Sequence, residues 1–242
     1  SLSRRGGRRR VWRMRYFLLM IAVVALVGCG EKEAPEPQAQ MQEEREGGVE
    51  EDTTPKAEPK AEVKKPRTKE ESAKVIEAAI REDLEKSTGE LAKADLEKVT
   101  KLGLSDNHLT DVKGLENLSQ LAELQLQDNQ LTSVKGLEKL TKLESLYLND
   151  NQLTNVRGLE KLTQLKSLNL MGNRLTDVRG LEKLTQLKSL NLIGNQLTDV
   201  KGLEKLTQLE TLFLLGNPDL TKAQIEQLQK ALPNCKIDHN AK

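Results

Sequence analysis

The chain is poor in the residues that most catalytic and recognition chemistry draws on. Of 242 residues, two are Cys, two are His, and aromatics make up 2 % (one Trp, two Tyr, two Phe). A structural zinc site takes about four Cys or His ligands, so no multi-ligand site of that kind is expected. Two cysteines also exclude a small scaffold stapled by disulfides. The scarcity of aromatics leaves little to stack on bases, and nucleic acid is not an expected partner. No apolar run is long. The longest, Phe17 to Val27, has eleven residues, whereas a membrane-spanning helix needs about 20. There is little excess charge either, with 38 Lys and Arg against 37 Asp and Glu, net +1. Seven of the Arg and no acid lie in residues 1–29, which leaves −6 for residues 30–242. That balance does not suit a general binder of polyanions.

What is present begins with an address. Arg4, Arg5, Arg8, Arg9, Arg10, Arg13 and Arg15 precede the apolar run, which has the length of a secretory h-region. The run closes on Leu26-Val27-Gly28-Cys29, which resembles the lipobox of bacterial lipoproteins. The resemblance implies a signal peptide over 1–29, lipidation of Cys29 with fatty acyl chains such as palmitate, and cleavage before that residue. Small side chains at Gly28 and Gly30 leave room for the modifying enzymes. Each buried CH₂ contributes about 0.8 kcal/mol, so several chains on one cysteine anchor stably. In that family an Asp after the cysteine favours the inner membrane, so Gly30 points to the outer one, its periplasmic or surface face left open. Met14-Arg15-Tyr16 ahead of the apolar run makes a compact signal. Met14 is therefore the expected start, with residues 1–13 an over-extended reading frame. Ser3-Arg4-Arg5 resembles a twin-arginine signal but stands too far from the apolar run.

Residues 30–68 hold almost no large apolar side chains, as in Ala34-Pro35-Glu36-Pro37 and Lys56-Ala57-Glu58-Pro59-Lys60. Such a segment cannot offset its ordering entropy by burial, and a disordered tether is expected. Over 69–98 a helical N-terminal cap is expected. Val75, Ile76, Ala79, Ile80 and Leu84 fall at helical spacing. Thr88-Gly89 breaks that helix, and a short second helix covers Ala92 to Lys98.

From residue 99 a 22-residue period takes over. Asn107, Asn129, Asn151, Asn173, Asn195 and Asn217 mark it, each preceded by a Leu-x-Leu such as Leu146-Tyr147-Leu148. A second column is Val112, Val134, Val156, Val178 and Val200; a third is Leu115, Leu137, Leu159, Leu181 and Leu203, each after a Gly. Residues 162–183 and 184–205 differ only at Met171/Ile193, Arg174/Gln196 and Arg179/Lys201. This is the L-x-x-L-x-L-x-x-N-x-L pattern of leucine-rich repeats, and the period with its Val column resembles the bacterial internalin-like class. The expected fold is an α/β solenoid: a leucine-rich-repeat horseshoe over 99–217 with a parallel concave sheet, a 3₁₀ or irregular convex side, and helical caps. Each Asn is expected to satisfy backbone groups at a buried turn, and the stacked Asn to form a ladder. No single repeat can bury its own core, so neighbours stabilise one another. After Asn217-Pro218 a C-terminal cap and tail are expected over 218–242. Thr221 and Gln224 form a capping box, Ile225, Leu228 and Leu232 an apolar face, and Cys235 and Ile237 pack over the last coil.

Catalysis is not expected. His108 sits at a turn position otherwise filled by Gln or Arg, and His239 lies in the tail. Neither has a nucleophile at a suggestive spacing. The Lys/Arg column (Lys113, Lys135, Arg157, Arg179, Lys201), followed by Glu116, Glu138, Glu160, Glu182 and Glu204, reads as a self-compensating solvated ladder. No metal and no small-molecule cofactor is implied. The informative positions are the outward residues of the strands. Gly103, Gln125, Tyr147, Asn169, Asn191 and Phe213 make one column; Ser105, Gln127, Asn149, Met171, Ile193 and Leu215 make the next. Tyr147 and Phe213 are the only aromatics after residue 29. The face runs from polar to apolar toward the C-terminal end, and exposed apolar surface marks partner sites, with aromatics as anchors. The expected site is therefore Tyr147, Asn149, Asn169, Met171, Asn191, Ile193, Phe213 and Leu215, binding a protein or peptide. A structural envelope or wall-associated spacer without specific ligand, and a surface adhesin, remain the alternatives.

Overall fold

The computed structural model describes residues 65–242. The expected signal peptide, Cys29 and nearly all of the expected tether lie outside the described residues. Seven short strands form one parallel sheet in sequence order: β1 Lys101–Gly103, β2 Glu123–Gln125, β3 Ser145–Tyr147, β4 Ser167–Asn169, β5 Ser189–Asn191, β6 Thr211–Phe213 and β7 Lys236–Asp238. Leu102, Leu124, Leu146, Leu168, Leu190, Leu212 and Ile237 lie side by side in register. From β1 to β6 each turn of the solenoid is one repeat, which is the expected architecture.

The strands are three residues long because only one Leu-x-Leu per coil alternates in and out. The chain then has to turn sharply. Asp106, Asp128 and Asp150 take φ of 53–58°, and Gly172, Gly194 and Gly216 take 66–72° at the same repeat position. These residue types tolerate left-handed backbone best. One residue on, the Asn side chain enters the coil. Asn173 Nδ2 donates to the carbonyls of Leu148, Leu170 and Met171 at 3.0, 3.1 and 3.3 Å, while its Oδ1 accepts from Leu153 N at 3.0 Å. Asn129, Asn151 and Asn195 repeat this pattern, and each ties its own coil to the one before.

Each coil buries seven aliphatic side chains; in the third these are Leu143, Leu146, Leu148, Leu153, Val156, Leu159 and Leu162, all 0 % exposed. The core therefore needs no aromatic rings. On the convex side 3₁₀ turns run over Leu115–Asn117, Leu137–Lys139, Leu181–Lys183 and Leu203–Lys205. Each starts from a glycine near φ 100–108°, a conformation that an L side chain rarely adopts. The Glu column adds to the expected Lys/Glu ladder. Glu138 Oε2 accepts from Gly136 N at 2.6 Å, and Glu116, Glu160, Glu182 and Glu204 do the same to the Gly two residues before them. The carboxylates cap these tight turns in addition to facing neighbouring cations, Lys161 and Lys135 adding a smaller effect on Glu138. Hydrogen bonds from its own N–H and that of Gly136 hold Glu138 below the usual carboxylate range.

The two ends are covered. α1 (Lys69–Asp83) starts at Thr68, whose side chain accepts from Glu71 N in a capping box, and buries Ile76 and Ile80. It stops earlier than Thr88-Gly89, since Leu84 caps it and Glu85 turns to φ 51°. α2 is one turn, Lys93–Leu96. α3 (Lys222–Ala231) carries the Thr221–Gln224 capping box and buries Ile225 and Leu228. Beyond α3 the segment around Cys235 and Ile237 does more than pack over the last coil: it adds β7 to the sheet, Leu214 N donating to Asp238 O at 2.8 Å. The exposed edge of β6, with its unpaired backbone groups, is the physical reason. Among the described residues no helix is long and apolar enough to cross a membrane.

Candidate functional site

Strand alternation turns one Leu of each coil inward and leaves its neighbours on the concave face. Three outward columns result. The first is Lys101, Glu123, Ser145, Ser167, Ser189 and Thr211. The second and third are the columns through Tyr147 and Met171. All eight expected partner-binding residues stand on this face and are half-exposed. None is enclosed by the core, and Phe213 and Leu215 keep that exposure beside the C-terminal cap. Tyr147 pairs in register with Asn169, Asn169 with Asn191, and Asn191 with Phe213. At about 4.8 Å per strand, Tyr147 and Phe213 stand roughly 14 Å apart. The hydroxyl column Ser145, Ser167, Ser189 and Thr211 was not among the expected site residues. Continuing the in-out alternation one step back from Tyr147 is the sequence signal that finds it.

The amides of the middle column are held locally. Asn169 Oδ1 accepts from Met171 N at 3.1 Å, and Asn191 Oδ1 accepts from Ile193 N at 3.0 Å. Their Nδ2 groups have no partner among the described residues. Asn149 differs, its Nδ2 donating to Asp150 Oδ2 at 2.8 Å. So does Gln125, whose Nε2 donates to Glu123 Oε1 at 2.9 Å. Thr211 Oγ1 lies 3.1 Å from Ser189 Oγ in a hydroxyl pair.

Charge stands at the two ends of the face: Lys101 and Glu123 on the first strands, and Lys236 and Asp238 on β7 beside Thr211 and Phe213. Lys101 and Glu123 pair at 3.1 Å. The Gln125 amide first, and Lys101 second, lower the Glu123 carboxyl. At the rim Asp106, Asp128 and Asp150 stack one per coil. Partial burial, then repulsion from Asp150 and Asp106, raises Asp128 above its ordinary value. Over β3 to β6 the three outward columns carry no charged side chain. His108 lies at its turn position with a half-buried side chain. Its side chain is 23 % exposed, Nε2 has no hydrogen-bond partner and stands 3.8 Å from Asp106 Oδ1, and φ is 53°. The backbone N–H of Arg67 donates to His108 O at 3.4 Å.

Among the described residues neither His108 nor His239 makes a hydrogen bond with a Ser, Thr or Cys side chain: His108 Nε2 faces Asp106, and His239 Nδ1 accepts from Ala241 N at 3.2 Å. No group of three or more Cys, His, Asp or Glu among the described residues could hold a metal. Cys235 is free and buried, and burial pushes its thiol pKa up, away from the reactive thiolate. Clefts where α1 meets the first coil, by Ile76, Arg81 and Lys113, and where α3 meets the last, by Val200 and Gln224, lie off the concave face.

Comparison with known proteins agrees with this geometry. Residues 119–161, 141–183, 163–205 and 185–230 match the family model for leucine-rich repeats in two copies. No curated protein matches the chain. Among solved structures, the functional domain of InlJ from Listeria monocytogenes is 26 % identical with a TM-score of 0.60, covering 69 % of this chain and 36 % of that one. A leucine-rich-repeat protein of Leptospira interrogans is 31 % identical with a TM-score of 0.56, covering 60 % and 38 %. The internalin InlF of Listeria monocytogenes is 24 % identical with a TM-score of 0.55, covering 69 % and 56 %, a likeness of fold. The chain thus spans between about one third and rather more than half of these structures. The fold is a leucine-rich-repeat solenoid with an open parallel sheet, and the three similar structures named above are bacterial.

Proposed function

We propose that this bacterial leucine-rich-repeat protein is a lipid-anchored binding module of the cell envelope, recognising a protein or peptide on its concave face without catalysing a reaction. The observation that carries the reading is the half-exposed cluster of Tyr147, Met171, Ile193, Phe213 and Leu215 on an open sheet whose core is filled without them. Folding does not require apolar residues there, and a contiguous apolar patch suits a partner. Acyl chains on Cys29 would hold the protein at the outer membrane, with residues 30–68 as the tether. The outer membrane is the proposed location.

Two measurements test this. Photo-crosslinking from position 147 in living cells should trap one saturable protein. Tyr147→Ala combined with Phe213→Ala should weaken capture of that protein while leaving the thermal midpoint nearly unchanged. Equal capture by the double variant refutes the proposed face. For the anchor, Cys29→Ala should abolish labelling by a palmitate analogue and move the protein to the soluble fraction.

A further inference from the structure

We infer that the concave face takes an uncharged, extended peptide segment whose backbone carbonyls accept hydrogen bonds from Asn169 and Asn191. This rests on the binding reading above and names the chemistry of the partner. The middle column over β3 to β6 reads aromatic, amide, amide, aromatic, all in register. The orientation of the two amides is fixed by chemistry. A backbone N–H can only donate, so the atom facing Met171 N and Ile193 N is Oδ1 in each case. Each Nδ2 is therefore free, and two like donors stand one strand apart, about 4.8 Å. The neighbouring Asn149 and Gln125 each spend one amide N–H on an adjacent carboxylate, which leaves a negative charge beside the amide. A free pair of donors selects acceptors.

The acceptors are neutral. Charged residues make up 31 % of the chain, yet the outward columns of four successive strands hold none. A charged ligand would lose its water over these columns, and the charges that border them come in opposed sets that neutralise one another: Glu144 with Lys166, Lys188 with Glu210, and Lys236 with Asp238 on β7. Neutral acceptor oxygens belong to peptide carbonyls or to sugar hydroxyls, and Met171, Ile193 and Leu215 decide between them. This aliphatic row runs directly beside the amides. Sugar hydroxyls placed on it would be desolvated without return, whereas an extended peptide alternates carbonyls with apolar side chains that fit it. The roughly 14 Å between Tyr147 and Phe213 matches about four extended residues. Such a peptide lies across the face of the strands, and side-chain amides supply the donors that a sheet edge supplies in strand addition.

The test uses the full chain as bait for a phage-displayed library of random dodecapeptides, followed by calorimetry on the synthetic consensus peptide. The expected consensus has an uncharged core of about four residues, and its affinity changes less than about twofold between roughly 0.05 and 1 M NaCl. Asn169→Asp and Asn191→Asp keep the Oδ1 acceptor for the backbone N–H but replace the donor. Each should bind about tenfold more weakly, the effect of one lost hydrogen bond and its desolvation, with the thermal midpoint retained. Asn191→Ser is the second variant should either Asp substitution lower that midpoint, and the same weakening is expected. A charged consensus with salt-dependent affinity overturns the inference. So does unchanged binding by these variants, or binding of an N-acetylglucosamine hexasaccharide with no peptide enriched. Loss of binding in the Tyr147→Ala, Phe213→Ala variant with unchanged Asp variants would leave concave recognition standing and remove only the amide assignment. Unchanged binding in all of them removes both.

Discussion

Truncating one rung of the asparagine ladder gives the most direct test of how the solenoid holds together. Asn173 is 6 % exposed and makes four hydrogen bonds. Its removal is not felt equally by its partners. Leu148 O keeps the Asn151 amide at 3.1 Å and Leu170 O keeps the Asn195 amide at 3.0 Å. Leu153 N loses the side-chain oxygen that it donates to. One orphaned buried donor costs about 1–3 kcal/mol, and the lost bonds add to it. Asn173→Ala should therefore cost about 2–4 kcal/mol, a fall of roughly 5–15 °C in thermal midpoint for a protein of this size. Asn107 is the internal control. It belongs to the same column but is half-buried, and its amide donates only to Ser105 O at 2.9 Å. Asn107→Ala should cost under about 1 kcal/mol.

A second substitution at the same position separates hydrogen bonding from packing. Asn173→Asp keeps an acceptor for Leu153 N but turns a second oxygen toward the Leu148 and Leu170 carbonyls. Its carboxyl should stay protonated above the unfolded value of about 3.9. Because the folded pKa is raised, this variant is nearest to wild type below about pH 4 and loses stability as pH rises toward the folded pKa. Urea unfolding followed by far-ultraviolet circular dichroism over a pH series reads both effects. If Asn173→Ala is as mild as Asn107→Ala, or the Asp variant shows no pH dependence, the ladder does not carry the stability assigned to it.

Two other outcomes follow from the titrating groups. Glu138 is lowered by its two backbone hydrogen bonds, so its contribution is present above about pH 4.3 and is lost as pH falls through the folded value. The stability gap between wild type and Glu138→Gln should accordingly be open at pH 7 and close on acidification; an equal gap at pH 7 and pH 3 contradicts the capping role. Cys235 is buried with a raised thiol pKa, so maleimide labelling should be slow in the native protein and become fast only in denaturant. Rapid native labelling would show that the cap opens around β7.

The repeat was legible because 22-residue spacing states the same instruction six times, and strand alternation then assigns every outward side chain. Tyr147, Met171 and Ile193 could be placed on the concave face for that reason alone. What was not legible depended on geometry that the repeat does not encode. The Gly-Leu-Glu spacing that lets Glu138 cap Gly136 looks like a charge pair with Lys135 alone until the backbone is seen. The strand at Lys236–Asp238 escapes the period because α3 intervenes and its partner Thr211 lies 25 residues back. His108 looks like an ordinary turn residue, since nothing in its repeat announces the hydrogen bond that its carbonyl accepts from Arg67 N. The free donors of Asn169 and Asn191 are likewise invisible in sequence, where Asn149 seems their equal.

The seventh strand has a consequence for solubility. A stack of parallel strands is a template at its last rung, and another copy could in principle continue it indefinitely. Lys236 and Asp238 place opposite charges on either side of Ile237 along that terminal rung, and charged side chains on an edge discourage further pairing. Among the described residues the sheet thus ends on a strand that is drawn from outside the repeat and unsuited to polymerisation. Without it, the bare Thr211–Phe213 edge would invite head-to-tail fibres.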